Sequence, residues 1–310
     1  MRRNNLLKLA MGCVLAVAST FASGDASSAQ PPRQVTPTGG GIAGVYGTQR
    51  ADQAEFLSTS DAIKSAAVSG SPTLIWETLE HGEKIECLDC IPVVAPLLYS
   101  SNAKNREIAA WWLRRRIFGV FGTGEVYDQT VQALQTSSDP LRRSYAAYAL
   151  GEFLAAPGVA ACASAVVSDG DARVRAAAAS ALGRLNDDGG GALGQALSDS
   201  DPTVKLAALA SAGRINSFSS VAALSALTND STPEVRRRSI EILDALNVAD
   251  ALAPVSAAAQ NDADARVRAV ACHALGTFGN PSALSILQNL SQNDPDVFVR
   301  DQATIAMRRL

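Results

Sequence analysis

The chain has 310 residues, of which 47% are hydrophobic, 18% charged and 5% aromatic, and its formal net charge is −3 at pH 7. The length suits either two ordinary domains or one repeat array, and the composition excludes a disordered chain, a collagen and a disulfide-dense miniprotein. Lys and Arg number 27 against 30 Asp and Glu. This balance argues against a general nucleic-acid binder, so we expect no nucleic-acid partner.

Residues 1–29 have the pattern of an export signal. Basic residues open the segment, Leu9 to Ala22 is apolar and uncharged, and Ala29 is placed as the last residue before a cleavage site. The apolar run is too short for a comfortable transmembrane helix, and no later run reaches that length. We therefore expect an exported, periplasmic protein whose mature chain has no transmembrane segment.

Two alternatives for export remain open. The pair Arg2 and Arg3 is compatible with a twin-arginine signal as well as with the general secretory route. A poor lipoprotein box ends at Cys13, but the apolar run continues past it, which disfavours a lipid anchor.

Residues 30–52 follow as a flexible linker, since they contain Pro31-Pro32 and three consecutive glycines. We interpret residues 53–89 as an N-terminal helical cap, in which Ser71 and Pro72 begin the second helix. Residues 90–310 form the main body, and they are repetitive.

A segment of about 32 residues recurs along this body. Its late apolar position is occupied in turn by Leu113, Leu150, Leu182, Ala212, Leu243, Leu275 and Met307. Seven units are thus visible, with one insertion around Phe118 to Glu125. Each unit opens with a helix N-cap residue such as Asp171, and small or apolar residues follow at spacings of 4, 4 and 3. Each unit is therefore predicted to be a helical hairpin that buries its apolar face by stacking.

The frame Asp-x-x-Val-Arg-x-x-Ala-x-x-x-Leu-Gly, seen from Asp171 and again from Asp264, resembles HEAT repeats of the phycobilisome-lyase-like subtype. The resemblance covers residues 90–310 and implies an all-α fold, an α-solenoid of about seven helical hairpins. It also implies a scaffold that binds another protein, without an enzymatic activity or cofactor of its own.

Enzymes with similar repeats are the alternatives that this resemblance raises. Phycobilin lyase subunits share the repeats, but an exported protein would not meet their cytoplasmic substrate. Deoxyhypusine hydroxylase binds iron through paired His-Glu dipeptides, whereas here Gly82 follows His81 and Ala274 follows His273. The ligand motifs of a metal-dependent oxidoreductase are therefore absent, and we expect no metal and no catalytic residue.

A column of cations follows the Val position of the repeat. It consists of Arg106, Arg143, Arg175, Lys205, Arg236, Arg268 and Arg300. A cation in the first turn of a helix opposes the helix dipole and needs an acid nearby. We expect these cations to pair with the capping acids of their own or the adjacent unit and so to form a structural ladder along the solenoid. The helix N-cap residues that carry a carboxylate are Asp139, Asp171, Asp201, Asp264 and Asp296. A basic stripe that binds phosphate is the alternative.

Two cysteines form the sharpest local motif, Cys87-Leu-Asp-Cys90. In an oxidising compartment such a pair forms either a small structural disulfide or an exchangeable redox pair. Metal binding and two free thiols are further alternatives, although only His81 lies nearby as an additional ligand. A thiol–disulfide redox protein is therefore an alternative function. Cys162 and Cys272 lie three units apart and are expected to be independent core residues.

Aromatic residues interrupt the consensus in the first two units. Trp111 and Tyr148 occupy equivalent positions of consecutive units, Tyr145 lies one turn from Tyr148, and Arg114 is close to Trp111 in sequence. Aromatic and Arg side chains are favoured anchors in protein interfaces, so these four are the candidate protein-binding residues. The alternative is that the insertion folds over these rings and buries them.

Overall fold

The computed structural model describes residues 59–119, 122–215, 218 and 220–310. The predicted signal and linker, residues 1–52, lie outside the described residues. The described part of the chain belongs to a single compact unit.

The described residues form sixteen α-helices and one pair of short antiparallel strands. In chain order the helices are α1 (Ser60–Val68), α2 (Pro72–His81), α3 (Ile91–Val94), α4 (Ala103–Ile117), α5 (Glu125–Thr136), α6 (Pro140–Phe153), α7 (Gly158–Ser168), α8 (Ala172–Leu185), α9 (Ala192–Ala196), α10 (Pro202–Ala212), α11 (Val221–Ala226), α12 (Pro233–Ala245), α13 (Leu252–Asn261), α14 (Ala265–Phe278), α15 (Leu284–Asn293) and α16 (Val297–Met307). The strands β1 (Phe118–Gly119) and β2 (Gly122–Thr123) lie between α4 and α5.

Capping residues determine where the long helices begin. The Asp139 side chain accepts a hydrogen bond from the backbone N–H of Leu141 at 2.9 Å, and Asp171 does the same for Arg173 at 2.9 Å. Asp201, Asp264 and Asp296 cap their helices in the same way. Each cap satisfies a backbone donor that the first helical turn leaves without a partner.

The helices stack as hairpins in two layers. The long second helix of each hairpin packs against the second helices of its neighbours; these helices are α4, α6, α8, α10, α12, α14 and α16. The shorter first helices form the other layer. Glycines permit the closest approaches between second helices: a Cβ on Gly151 would lie 2.8 Å from Ala181 Cα, and a Cβ on Gly276 would lie 2.8 Å from Ala306 Cα. The structure thus confirms the predicted all-α solenoid.

The core runs continuously between the two layers. Leu113, Leu150, Leu182, Leu243 and Leu275, from the late apolar column, are all fully buried. Since each of these side chains lies between consecutive hairpins, no hairpin could bury its apolar face alone.

The first hairpin departs from the regular repeat. Its first helix is not continuous: the apolar segment is divided into α3 and a 3₁₀ segment, Ala95–Tyr99. Pro92 and Pro96 lack the backbone N–H that a continuous α-helix requires, which explains the division. The insertion that follows α4 contains the β1–β2 hairpin instead of a helix.

Helices α1 and α2 precede the first hairpin and are attached to it by polar contacts. Ser71 caps α2, accepting from Leu74 N. The indole of Trp112 donates to the Gly82 carbonyl at 3.2 Å, and Arg115 forms an ion pair with Glu83. The N-terminal pair therefore continues the stack at the start of the solenoid.

Candidate functional site

The ladder cations bridge consecutive hairpins. Arg268 donates from Nε and Nη2 to both carboxylate oxygens of Asp294 at 2.8 and 2.9 Å, and from Nη1 to the Asp262 carbonyl at 2.9 Å. Equivalent two-pronged pairs join Arg143 to Asp169, Arg175 to Asp199 and Arg236 to Asp262, while Lys205 pairs with Asp230 through its single ammonium group. Each of the four arginines thus joins a loop carbonyl of its own hairpin to a carboxylate of the next, whereas Lys205 contacts the carboxylate alone.

The acids of this ladder are not the ones that the sequence pattern indicated. The partners of the cations lie two residues before the capping positions, whereas Asp139, Asp171, Asp201, Asp264 and Asp296 cap their own helices. The capping carboxylates accept backbone N–H groups of the first turn, so they turn toward their own helix. The carboxylate two residues earlier accepts the backbone N–H of the capping residue and turns toward the preceding hairpin.

Pairing with these acids removes the ladder cations from phosphate binding. The Arg268 side chain is 11% exposed and that of Asp294 only 2%. Arg268 holds the pKa of Asp294 below its usual range through their hydrogen bonds, so the carboxylate stays charged at neutral pH. The paired cations of this column therefore do not form a basic stripe that could bind phosphate.

The two ends of the cation column are different. Arg106 donates to the Ser100 and Ser101 carbonyls, and Arg300 donates to the Asp294 and Pro295 carbonyls. Within the described residues neither guanidinium has a carboxylate at salt-bridge distance.

A disulfide joins Cys87 and Cys90, with their Cα atoms 5.2 Å apart. Both residues are buried, at 2% and 0% exposure, and the bond lies in a 3₁₀ turn just before α3. Asp89 in the same turn forms an ion pair with Lys64 of α1. The turn is thereby linked to α1 on one side and enters α3 on the other.

In the described ranges, Cys87, Asp89 and Cys90 form the only group of three metal-ligating side chains that converge within 4.8 Å. Sulfurs joined in a disulfide are not thiolates, so they cannot ligate a metal in this state. Cys162 and Cys272 are both free and buried, and burial raises the pKa of each thiol to about 12.

The candidate protein-binding residues lie on adjacent second helices. Trp111 and Arg114 belong to α4, Tyr145 and Tyr148 belong to α6, and all four side chains are half-buried. They lie on what we call the second-helix face, the solvent side of the second helices, which includes the equivalent residues Trp111, Tyr148, Ser180, Ala210, Glu241 and His273. The rings are thus neither fully exposed nor buried as the alternative interpretation required; Trp112, by contrast, is fully buried.

Cations of neighbouring helices stack on several aromatic rings near these residues. Arg106 lies over Tyr145 at 4.0 Å from the ring centroid, and Arg184 approaches Tyr148 at 5.9 Å. Tyr148 also lies beside Glu152, and burial together with this carboxylate raises the pKa of the phenol. These contacts order the rings before any partner binds.

Arg114 adds a positive charge to this group of aromatic rings. Within the described residues, no acceptor lies at hydrogen-bonding distance from its guanidinium. Since most other arginines of the solenoid are engaged by acids or carbonyls, Arg114 is one of the few available to an external carboxylate.

A polar group that sequence reasoning missed lies near the other end of the same face. His273 Nδ1 is 2.8 Å from Asp244 Oδ2, and Arg309 Nη1 is 3.1 Å from His273 Nε2. The second carboxylate oxygen of Asp244 is buried without a hydrogen-bond partner in the described residues. The feature of the sequence that could have indicated this polar group is Asp244, because the equivalent position is Gly in neighbouring units, as at Gly183 and Gly276.

The fold and these surfaces define a class of helical repeat scaffolds. A family model described as HEAT repeats matches residues 127–191, 160–231, 190–262 and 220–308, which together cover more than half of the chain. The chain belongs to the HEAT-repeat family, as the sequence frame predicted.

Solved structures that match this chain with a TM-score above 0.5 show the same fold. YibA of Escherichia coli is 15% identical with a TM-score of 0.57, and the match covers 86% of this chain and all of YibA. Importin beta is 12% identical with a TM-score of 0.53, over 84% of this chain and 47% of importin beta. The phycocyanin lyase complex of CpcE and CpcF from Nostoc is 21% identical with a TM-score of 0.39, over 71% of this chain and 92% of that one.

No curated protein matches the chain in sequence. Among the helices of the described residues, none has the length and apolar character needed to cross a membrane.

Proposed function

We propose that this protein is a non-enzymatic scaffold of the periplasm that binds another protein through the N-terminal part of its second-helix face. The observation that carries the proposal is the juxtaposition of Trp111, Tyr145 and Tyr148 with Arg114, a cation that no described acid neutralises. HEAT-repeat solenoids bind other proteins, which supports the general class. Aromatic rings held in place lose little entropy on binding, which favours them as anchors.

The sequence also supports a non-enzymatic role. The chain contains only two histidines, and neither belongs to a His-Glu dipeptide of the kind that binds iron in the hydroxylase-like relatives. His273 is engaged on both ring nitrogens, by Asp244 and by Arg309. Export to the periplasm rests on the signal pattern of residues 1–29.

The test is affinity capture from a periplasmic extract with the tagged full chain. Trp111→Ala with Tyr148→Ala, and separately Arg114→Ala, are compared with Arg214→Ala. Arg214 is an exposed arginine farther along the solenoid, so its removal changes the charge equally and serves as the matched control. We expect the partner to be lost with the first two proteins and retained with the third. If all three variants retain the partner protein, and circular dichroism verifies that they are folded, this binding site is refuted.

A thiol–disulfide redox role is the second candidate, and it has one observation in its favour: Cys87 and Cys90 form the disulfide within a Cys-x-x-Cys turn. The burial of both sulfurs opposes exchange with a partner, because an attacking thiolate must reach one of them. Replacement of Cys90 by Ser separates the two functions. A redox protein would accumulate a reductant-sensitive mixed disulfide with its substrate, whereas a scaffold would not.

A further inference from the structure

A cleft of about 600 Å³ lies between the first two hairpins. Its apolar wall includes Ile91 and Pro92 from α3 and Val126 from α5, while Tyr99, Arg116 and Arg142 contribute its polar groups. The volume lies within the range of about 300–1,000 Å³ typical of ligand clefts. Both pieces of the proline-divided first helix, α3 and Ala95–Tyr99, line the cleft.

Arg142 presents its donors at this cleft without an internal partner. The residue is exposed, and its guanidinium stacks over the Tyr99 ring at 3.9 Å. In the part of the chain that the structure describes, no hydrogen-bond acceptor and no carboxylate engages the Arg142 guanidinium. The stacking contact fixes the plane of the guanidinium while leaving its N–H groups for an external acceptor.

Arg116 adds a second positive charge, and in the described part of the chain no carboxylate lies at salt-bridge distance from it. Its Nη1 donates to the Trp112 carbonyl at 2.7 Å, and its Nη2 donates to the Glu83 and Ile85 carbonyls at 2.6 and 2.7 Å. Its Nε is buried and has no partner among the described residues. Burial and the neighbouring Arg115 lower the pKa of Arg116 to about 10, which leaves it charged at neutral pH. The one carboxylate that lines the cleft, Glu125, accepts a hydrogen bond from Gln129 at 2.7 Å.

The apolar surface continues past the cleft. Leu88 stands at its edge with 70% of its surface exposed. A small carboxylate bound at Arg142 would leave Leu88 in water, whereas an extended peptide advances about 3.3 Å per residue and reaches both. Shape and charge together therefore favour a polypeptide segment as the occupant.

We infer that this cleft binds a short extended segment of a partner protein in which an Asp or Glu side chain pairs with Arg142 and flanking apolar side chains cover Ile91, Pro92 and Leu88. The inference rests on the proposed function in taking a protein as the ligand. The cleft shares no residue with the proposed binding face, so the two can fail separately. Because a guanidinium binds a carboxylate through two parallel hydrogen bonds, the acidic residue supplies both orientation and specificity.

The experiment selects ligands from a phage-displayed heptapeptide library on the full-length protein. Peptides that bind the wild type better than Arg142→Ala are synthesised with a fluorophore and titrated by fluorescence anisotropy. We expect these peptides to contain Asp or Glu beside aliphatic residues, and we expect Arg142→Ala to weaken them about 10-fold, as for the loss of one charged hydrogen-bonding group. Replacing the peptide acid by its amide should cost a similar factor on the wild type and little on Arg142→Ala.

Control variants make each outcome decisive. Arg142→Lys retains the charge but loses the planar fork, so it should bind with intermediate affinity. Arg114→Ala, on the second-helix face, should bind the peptides normally even where it loses the natural partner of the proposed function. Selection of no Arg142-dependent peptide, or of peptides without an acid, would overturn the inference. Displacement of the peptides by free succinate at equal concentration would also overturn it, because a small carboxylate would then suffice.

Discussion

The ladder pair of Arg268 and Asp294 provides a sharp test of how the hairpins are held together. In Arg268→Met the Asp294 carboxylate, 2% exposed, loses both guanidinium hydrogen bonds and keeps only the Asp296 N–H at 2.8 Å. Removing one partner of a buried ion pair costs about 3–5 kcal/mol. Because the Arg268 side chain is still 11% exposed, we expect the free energy of unfolding to fall by an amount at the lower end of this range, about 3 kcal/mol.

The same column contains a matched control. Arg300 donates only to the carbonyls of Asp294 and Pro295, at 2.6 and 3.2 Å. Arg300→Met therefore leaves no carboxylate without its partner, and it should cost about 1 kcal/mol. The measurement is urea unfolding at pH 7 followed by circular dichroism. Equal losses in the two variants would refute the assignment of the ladder as a buried electrostatic link between hairpins.

The pH dependence of this pair has a definite sign. The pKa of Asp294 is lower in the folded protein than in the unfolded chain. The stability that this carboxylate contributes is therefore fully present above its unfolded pKa of about 3.9, and it is lost as the pH falls through its folded pKa. The stability difference between the wild type and Arg268→Met should therefore be largest near pH 7 and shrink on acidification, because Asp294 takes up its proton first in the variant, where Arg268 no longer stabilises the carboxylate, and only at lower pH in the wild type. A difference that grew on acidification would contradict this reasoning.

Two further predictions concern packing and the disulfide. Gly183→Ala should destabilise the protein by about 1–3 kcal/mol, because the new Cβ would lie 2.8 Å from Ser211 Cα. Gly170 has open space around it, so Gly170→Ala should be nearly neutral and serves as the control. Equal urea unfolding midpoints for the two variants would contradict this prediction. Replacing Cys87 and Cys90 together by Ser should lower the free energy of unfolding by roughly 2 kcal/mol, the value expected for closing so short a loop. Thermal unfolding with and without reductant measures this loss. Unchanged stability would show that the disulfide does not constrain the unfolded chain.

The regular part of the fold could be predicted from sequence because each hairpin repeats the same local signals. Asp171 and Asp264 cap their helices as the spacing indicated, and the late Leu column is buried where the period places it. The acids of the ladder could not be assigned in the same way. Asp169 and Asp171 are two residues apart, and only the loop conformation decides which carboxylate turns to its own helix and which to the preceding hairpin.

The irregular parts could not be predicted, because they depend on contacts between distant segments. The cleft is lined by both pieces of the divided first helix and by Arg142, which stacks over Tyr99, 43 residues earlier in the sequence. The pairing of His273 with Asp244 crosses from one hairpin to the next. Pattern reasoning did place the aromatic residues of α4 and α6 on one surface, since equivalent repeat positions share a face.

The central claim is that the N-terminal second-helix face binds a partner protein, and site-specific photocrosslinking in the intact cell tests it most directly. A benzophenone amino acid is introduced at Glu107, an exposed residue of α4 one turn before Trp111, and in a matched strain at Val167, which is exposed on the first-helix layer. Crosslinked products are identified by mass spectrometry. We expect one defined protein adduct at position 107 and none at position 167. Equal crosslinking at both positions, or adducts at position 167 alone, would contradict it.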